Sequence, residues 1–311
     1  MVQHEPVIVR LSGGGRAPLI LYLLALLAVT AVWGWTFVLV KDAIATYPTL
    51  PFLALRFALA AALLAAVVRR LPSRRELIFG GAIGLALAFG YLVQTLGLQF
   101  ISPGNAGLIT GLFVVFTPLF QRFIGVPLRP ITIAAVLLAL AGAALLSGGL
   151  AGLGLGDLLV LGCAVAFAVH IVLLGRWAPH LSAPALTLVQ LFICAFAFAL
   201  GGAFQFRWPS PSVWFAIAVT GLLASALAFL IQTWVQRHLP PIQTALVLTA
   251  EPAWALLFAF LLAGQRLTLL SALGAGLVLL AIVGHEAVRA LQSRAGAGGA
   301  QPVREGAAGG P

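Results

Sequence analysis

Runs of about 20 mostly apolar residues follow one another almost from end to end of this chain, each long enough to cross the hydrocarbon core of a bilayer as a helix. Lipid offers no partners for open backbone groups, so segments of this kind must be helical. A barrel is excluded, because its strands would alternate polar and apolar residues and these runs do not. Composition agrees: with 62% of residues apolar and 8% charged, there is too little polar surface to coat a water-soluble globule. The reading is an all-α integral membrane protein.

Apolar length, punctuated by Pro, Gly and Arg, divides the chain into ten spans. They fall at 18–40, 51–68, 77–97, 104–121, 131–148, 157–175, 184–203, 211–235, 241–262 and 267–285. An even number of spans puts both termini on one side, and the basic residues say which. With cytoplasmic termini the inner side collects Arg10, Arg16, Arg69, Arg70, Arg74, Arg75, Arg122, Arg129, Arg176, Arg237, Arg289, Arg294 and Arg304; the outer side collects Lys41, Arg207 and Arg266. The net charge of +10 is thus spread between spans as topology signals, which excludes nucleic acid as a partner and leaves the lipid bilayer. The preference for Arg over Lys, with abundant Ala and Gly, resembles a GC-rich bacterial genome. A bacterial inner membrane is the expected location, with the segment before residue 18 leading into an uncleaved first helix. Cys163 and Cys194 lie in apolar runs without a metal or disulfide pattern and read as small core residues.

The two halves resemble each other. Tyr91-Leu92-Val93-Gln94-Thr95 parallels Phe229-Leu230-Ile231-Gln232-Thr233, and Thr117-Pro118 parallels Glu251-Pro252. Arg56 falls near the position of Gln190, and Lys41 near that of Arg176. Five spans per repeat force the second half to enter the membrane from the opposite side, which is the inverted repeat of many alternating-access carriers. The expected divisions are a cytoplasmic segment 1–17, a first repeat 18–148, a linker 149–156, a second repeat 157–286 and a disordered cytoplasmic tail 287–311. Small-residue pairs such as Gly80 and Gly84 serve contacts within a monomer or in a homodimer equally well, so oligomeric state stays open.

Several stretches together look like the EamA branch of the drug/metabolite transporter superfamily. These are Ala31-Val32-Trp33-Gly34-Trp35-Thr36-Phe37, Leu53-Ala54-Leu55-Arg56-Phe57, Pro103-Gly104-Asn105-Ala106-Gly107-Leu108-Ile109-Thr110-Gly111 and Glu251-Pro252. The resemblance covers about residues 18–286. It implies ten helices, cytoplasmic termini, a central cavity between five-helix halves and export of small metabolites or toxic compounds without nucleotide hydrolysis. The residues agree on energy source: no GxxxxGK[ST] occurs, and the sole lysine, Lys41, follows no glycine loop. Gly152-Leu153-Gly154-Leu155-Gly156 imitates a dinucleotide loop, but no strand precedes it. No cofactor, metal or catalytic residue is expected.

Glu251 draws attention first, about nine residues into its span and on the order of 13 Å deep at 1.5 Å per residue. An ionised carboxylate there must be neutralised, paired or turned to an aqueous cavity, and Pro252 beside it is expected to kink the helix, as Pro118 does in the other half. A substrate contact and a proton-coupling site are both open to it; the alternative is a neutral, purely structural hydrogen bond. Arg56, about 7 to 8 Å from the outer end of its span, either binds an anionic group, balances Glu251 or snorkels outward. Gln94 and Gln232, with Thr95 and Thr233 beside them, suit recognition of polar solutes or interhelical bonding. Asn105 opens the fourth span near Thr110 as a further polar candidate. Trp33, Trp35 and Trp254 near mid-membrane, with Thr36 beside them, either wall a cavity or pack. His170 is a proton relay or a hydrogen-bonded core residue.

The primary candidates are therefore Glu251, Arg56, Gln94, Asn105, Gln232 and Trp33. The function they outline is a secondary transporter of a small organic solute, with proton coupling open. The alternatives are an integral-membrane enzyme acting on lipid, whose expected clusters of His, Asp or Cys are lacking, and a scaffold or regulatory subunit without transport.

Overall fold

The computed structural model describes residues 16–125, 127, 130–146, 153–239, 241–248 and 250–298. All regular structure among them is helical: α1 (Arg16–Thr46), α2 (Thr49–Val67), α3 (Arg74–Gly97), α4 (Pro103–Thr110), α5 (Phe113–Gln121), α6 (Pro130–Leu146), α7 (Leu155–Trp177), α8 (Ala183–Gly202), α9 (Pro211–Gly221), α10 (Ala228–Gln236), α11 (Pro241–Leu248), α12 (Glu251–Ala263) and α13 (Leu269–Gly298). Seven helical segments are long and apolar enough to cross a membrane: Leu19–Thr46, Thr49–Val67, Arg74–Gly97, Pro103–Gln121, Leu155–His180, Ala183–Gln205 and Pro211–Gln236. Three shorter apolar helices, Pro130–Leu146, Glu251–Ala263 and Leu269–Gly284, accompany them.

Local chemistry sets the helix starts. Ser73, Ser102 and Ser210 each accept a hydrogen bond from a backbone N–H in the first turn, at Glu76, Asn105 and Val213. Proline follows directly at Pro103 and Pro211, where its missing N–H would have had no intrahelical partner. Glu76 closes a capping box on Ser73.

Two expectations are corrected. The disordered tail does not begin at 287, because α13 continues to Gly298 through Ala, Leu, Gln and Arg residues of good helix propensity. The tail beyond it, the first fifteen residues and most of the expected linker lie outside the described residues. The prolines, secondly, do not mark equivalent kinks. The fourth span is interrupted at Gly111-Leu112, ahead of Pro118, which sits inside α5. There the backbone bonds tighten, Leu112 N–H to Ile109 C=O and Val114 N–H to Gly111 C=O. The ninth is interrupted immediately before Glu251, and Pro252 occupies the first turn of the restarted helix. Both interruptions share one layout: α4 and α11 each open on a proline, each run eight residues, and the chain becomes helical again at Phe113 and Glu251, equally far from those prolines. The segment from α9 to α10 is continuous but passes through a π-helical turn, Leu222–Leu227.

Helix α2 packs on α8, α3 on α7 and α8, α6 on α13, α1 and α4 on α12, and α5 on α7. Phe52, Phe57, Leu108, Ile109 and Leu112 are fully buried at the centre. Leu85, Phe89, Phe192, Phe196, Phe260 and Leu261 are exposed on outward faces, as lipid contact requires. Polar ties close the helix ends. The Glu76 carboxylate takes both terminal nitrogens of Arg70, at 2.8 and 2.6 Å, and also the Ser182 N–H at the start of α8. At the opposite end of the bundle Tyr47 Oη donates to the Arg207 carbonyl at 2.6 Å. Lys41 Nζ reaches the carbonyls of Leu98, Gln99 and Ile101 and so caps the C-terminal end of α3.

Helix α12 approaches α1 and α4 without intervening side chains. A Cβ at Gly34 would strike Trp254, and one at Gly107 would strike Ala255. Gly107→Val should therefore cost about 1–3 kcal/mol through overpacking, seen as a lowered Tm of the purified protein in detergent. Gly81→Val, with open space around its Cβ, should leave Tm unchanged.

Candidate functional site

Glu251 is the first residue of α12, with Pro252 next. A helix start leaves N–H groups without intrahelical acceptors, so proline there sacrifices no bond, and the positive end of the helix dipole lies beside the carboxyl group. The side chain is 4% exposed, and no hydrogen bond or ion pair engages it among the described residues. It faces a cavity with about 50 Å³ of room for the centres of water-sized molecules.

Helices from both halves of the chain wall this cavity. α1 contributes Trp33, Thr36, Phe37 and Val40; α2 gives Arg56; α3 gives Leu87, Tyr91 and Gln94; α5 gives Phe113. From the second half come Phe167, His170 and Ile171 of α7, Phe229 and Gln232 of α10, Leu248 of α11 and Glu251. Leu98 completes the wall. Five of the six primary candidates, Glu251, Arg56, Gln94, Gln232 and Trp33, are thus brought together, along with Thr36 and His170.

Their partners differ in kind. Arg56 is 2% exposed; its Nε donates to Ser225 Oγ at 2.8 Å and a terminal nitrogen to Tyr91 Oη at 3.2 Å. It shares the cavity with Glu251 but forms no ion pair with it; the ion pair found among the described residues is Arg70–Glu76. Trp33 Nε1 donates to the Ala224 carbonyl at 2.9 Å, and its ring lies 5.4 Å from that of Phe229. Gln94 Nε2 donates to Thr110 Oγ1 at 3.3 Å. Gln232 Nε2 donates to Gln236 Oε1 at 3.1 Å, while Gln232 Oε1 is buried without a partner. His170 Nε2 lies 2.9 Å from Gln190 Oε1, and Gln190 in turn donates to the Leu186 carbonyl.

The remaining candidates lie elsewhere. Asn105 Oδ1 accepts from Gln265 Nε2 at 3.2 Å, and Gln265 Oε1 accepts the Gly104 N–H, so Asn105 fastens the start of α4 to the turn after α12. Thr110 stands behind Gln94, and Thr233 takes a 3.0 Å bond from Thr187 Oγ1. Thr95 is buried outside the cavity wall. Trp254 stacks on Phe258, with centroids 6.1 Å apart, and Trp35 is half-buried away from the wall. The sequence reading passed over Tyr91, Phe229 and Ser225. Tyr91 with Gln94, and Phe229 with Gln232, are three residues apart on one helix face, a signal contained in the repeated pentapeptides. Ser225 carried no such signal, because its position depends on the π turn.

The EamA-like transporter family matches this sequence over residues 19–148 and again over 154–285. The chain belongs to that family. Among its EamA-like relatives, an "Uncharacterized transporter" of Archaeoglobus fulgidus is 30% identical over 283 residues, covering 88% of this chain and 89% of the relative. The "Uncharacterized inner membrane transporter YedA" of Escherichia coli strain K12 is 26% identical over 270 residues, covering 83% and 88%. YoaV of Bacillus subtilis strain 168, also named an uncharacterized transporter, is 24% identical over 279 residues, covering 82% and 93%. One crystal structure superimposes with a TM-score of 0.64 at 24% identity, over 90% of this chain and 99% of its own, a likeness of fold.

The cavity predicts a labelling pattern along α3 of this EamA-like chain. With the buried Cys163 and Cys194 replaced by Ala, Gln94→Cys should react with a small charged methanethiosulfonate, and Thr95→Cys should not. Equal reaction at both positions would place the cavity on another face of α3.

Proposed function

We propose that this membrane transporter is an exporter of a small organic solute that works by alternating access, with ten spans arranged as two inverted five-helix repeats and both termini in the cytoplasm of a bacterial cell. The packing supports the repeat. When the first span is equated with the sixth, and so on to the fifth with the tenth, the most extensive helix pairings map onto themselves or onto other observed pairs, although the packing of α5 on α6 has no counterpart of similar extent. The second and seventh spans meet as α2 and α8, the fifth and tenth as α6 and α13, and the fourth and ninth as α4 and α12. The contact of α3 with α8 has its counterpart in α9 with α2, and that of α1 with α12 in α7 with α5. The two interruptions, before Phe113 and before Glu251, fall at matching places in the fourth and ninth spans. The inner-membrane location follows the name of the Escherichia coli relative and the distribution of arginines.

The observation that carries the carrier reading is Glu251: a buried carboxyl group at a helix interruption, without an ion-pair partner among the described residues and facing a cavity walled by both halves. A membrane-buried ionisable group of this kind marks a substrate or ion path. Interrupted helices meeting at such a site are the layout of secondary transporters. The names of the relatives favour a carrier over a lipid-modifying enzyme or a scaffold. In this reading Glu251 contacts the solute or takes up and releases a proton during the cycle.

Accumulation assays on expressing cells, screened across small organic solutes, identify a transported compound; reconstitution into proteoliposomes then tests coupling. Imposed pH gradients should drive its movement by the wild-type protein, and Glu251→Gln should abolish that drive while the protein remains folded. If Glu251→Gln kept full dependence on the gradient, Glu251 would be removed as the proton site. If no solute were moved by correctly inserted wild-type protein, the carrier reading itself would fall.

A further inference from the structure

Arg56 is the strong cation of the cavity, and no acidic group pairs with it among the described residues. Its two hydrogen-bond acceptors, Ser225 Oγ and Tyr91 Oη, are neutral, and its other terminal nitrogen has no hydrogen-bond partner among the described residues. The guanidinium carbon stands 4.5 Å from the centre of the Tyr91 ring and 5.2 Å from that of Phe57. Such cation-π contacts compensate only part of the cost of taking a guanidinium out of water. Four titratable groups face the cavity, Arg56, Tyr91, His170 and Glu251. The acidic one, Glu251, leaves Arg56 unpaired. The place of the counter-charge is thus left inside the cavity, in front of a planar fork of donors whose geometry matches a carboxylate.

The fork is also held in position. The π turn Leu222–Leu227 holds two residues of the cavity wall from behind: the Ala224 carbonyl accepts Trp33 Nε1 at 2.9 Å, and the fully buried Ser225 hydroxyl accepts Arg56 Nε at 2.8 Å. π turns inside helices occur frequently at functional sites. Beyond the guanidinium the wall is aromatic. The Tyr91 ring lies 5.3 Å from Phe167 and 6.0 Å from Phe229.

We propose that the transported solute carries a carboxylate that binds Arg56, with an apolar body against the Tyr91, Phe229 and Phe167 rings, and that Ser225 of the π turn is the positioning residue for this contact. The proposal rests on the carrier reading and assigns the solute's charge, which that reading leaves open.

Equilibrium binding to the purified protein in lipid nanodiscs tests it with three probes that share one ring: phenylacetate, its neutral analogue phenylacetamide, and the cation phenethylamine. Phenylacetate should bind at least about tenfold more tightly than the amide, and the amine should not bind detectably. Arg56→Gln should lose phenylacetate binding, and Arg56→Lys should retain a weakened form of it. Ser225→Ala should weaken phenylacetate by about threefold to tenfold, the scale of one ordinary net hydrogen bond. It should leave the amide unaffected, and Ser225→Thr should restore affinity. Each variant is checked for wild-type Tm before binding is compared; if Arg56→Gln fails this check, the Ser225 pair and the preference among probes decide. Unchanged phenylacetate affinity in folded Arg56→Gln would overturn the proposal. So would preference for phenethylamine, or binding of none of the three probes. A reconstituted protein that moves cations but no carboxylates would sink this inference and leave the carrier reading standing.

Discussion

A backbone group that loses its helical partner inside a bilayer has only the protein itself to turn to. That constraint decides where this chain can interrupt its helices. The gaps between α4 and α5 and between α11 and α12 lie where α4 packs on α12 and α5 on α7, and the π turn lies against α2 and α1. Gly34 and Gly107 let α12 approach closely enough to leave no lipid between the elements. The cavity follows from these breaks, since Phe113, Leu248 and Glu251 line it from their edges and the π turn holds Arg56 and Trp33 in its wall.

The ends of the bundle obey a different rule, because water and headgroups can compete there. The Glu76 tie joins α3 to the start of α8 through an ion pair and backbone N–H groups, with Arg70 half in solvent. The opposite tie, from Tyr47 to the Arg207 carbonyl, is a single hydrogen bond accepted by backbone. Salt weakens the partly exposed ion pair and leaves the neutral bond largely untouched. The two ends of the bundle are therefore held by contacts of unequal sensitivity to ionic strength.

Much of this was legible in the sequence, for physical reasons. Apolar length and the Ser-Pro and Pro punctuation located the starts of the helical segments within about three residues, because bilayer thickness and helix capping are local rules. Polar groups deep in apolar runs stood out as Arg56, Gln94, Gln232 and Glu251, and the structure gathers these around one cavity. Asn105 lies outside the cavity wall, and its bond to Gln265 could not be read from the sequence because the two are remote along the chain. Gln94 was ranked ahead of Thr95 on side-chain type alone, since which face of a helix meets the cavity depends on its neighbours. The π turn has no residue signature, and Ser225 was lost with it. Pairing Pro118 with Pro252 followed the visible letters, whereas the repeated feature is the interruption, which no single residue type marks.

That interruption places Phe113 and Glu251 alike, each the first residue of a restarted helix and each facing the same cavity. A side chain at such a place owes little to the helix behind it, and its identity can change without redrawing the backbone. The molecule in effect holds two interchangeable sockets, one filled by a ring and one by an acid. Exchanging the contents of a socket would alter the chemistry of the cavity and leave the surrounding scaffold in place.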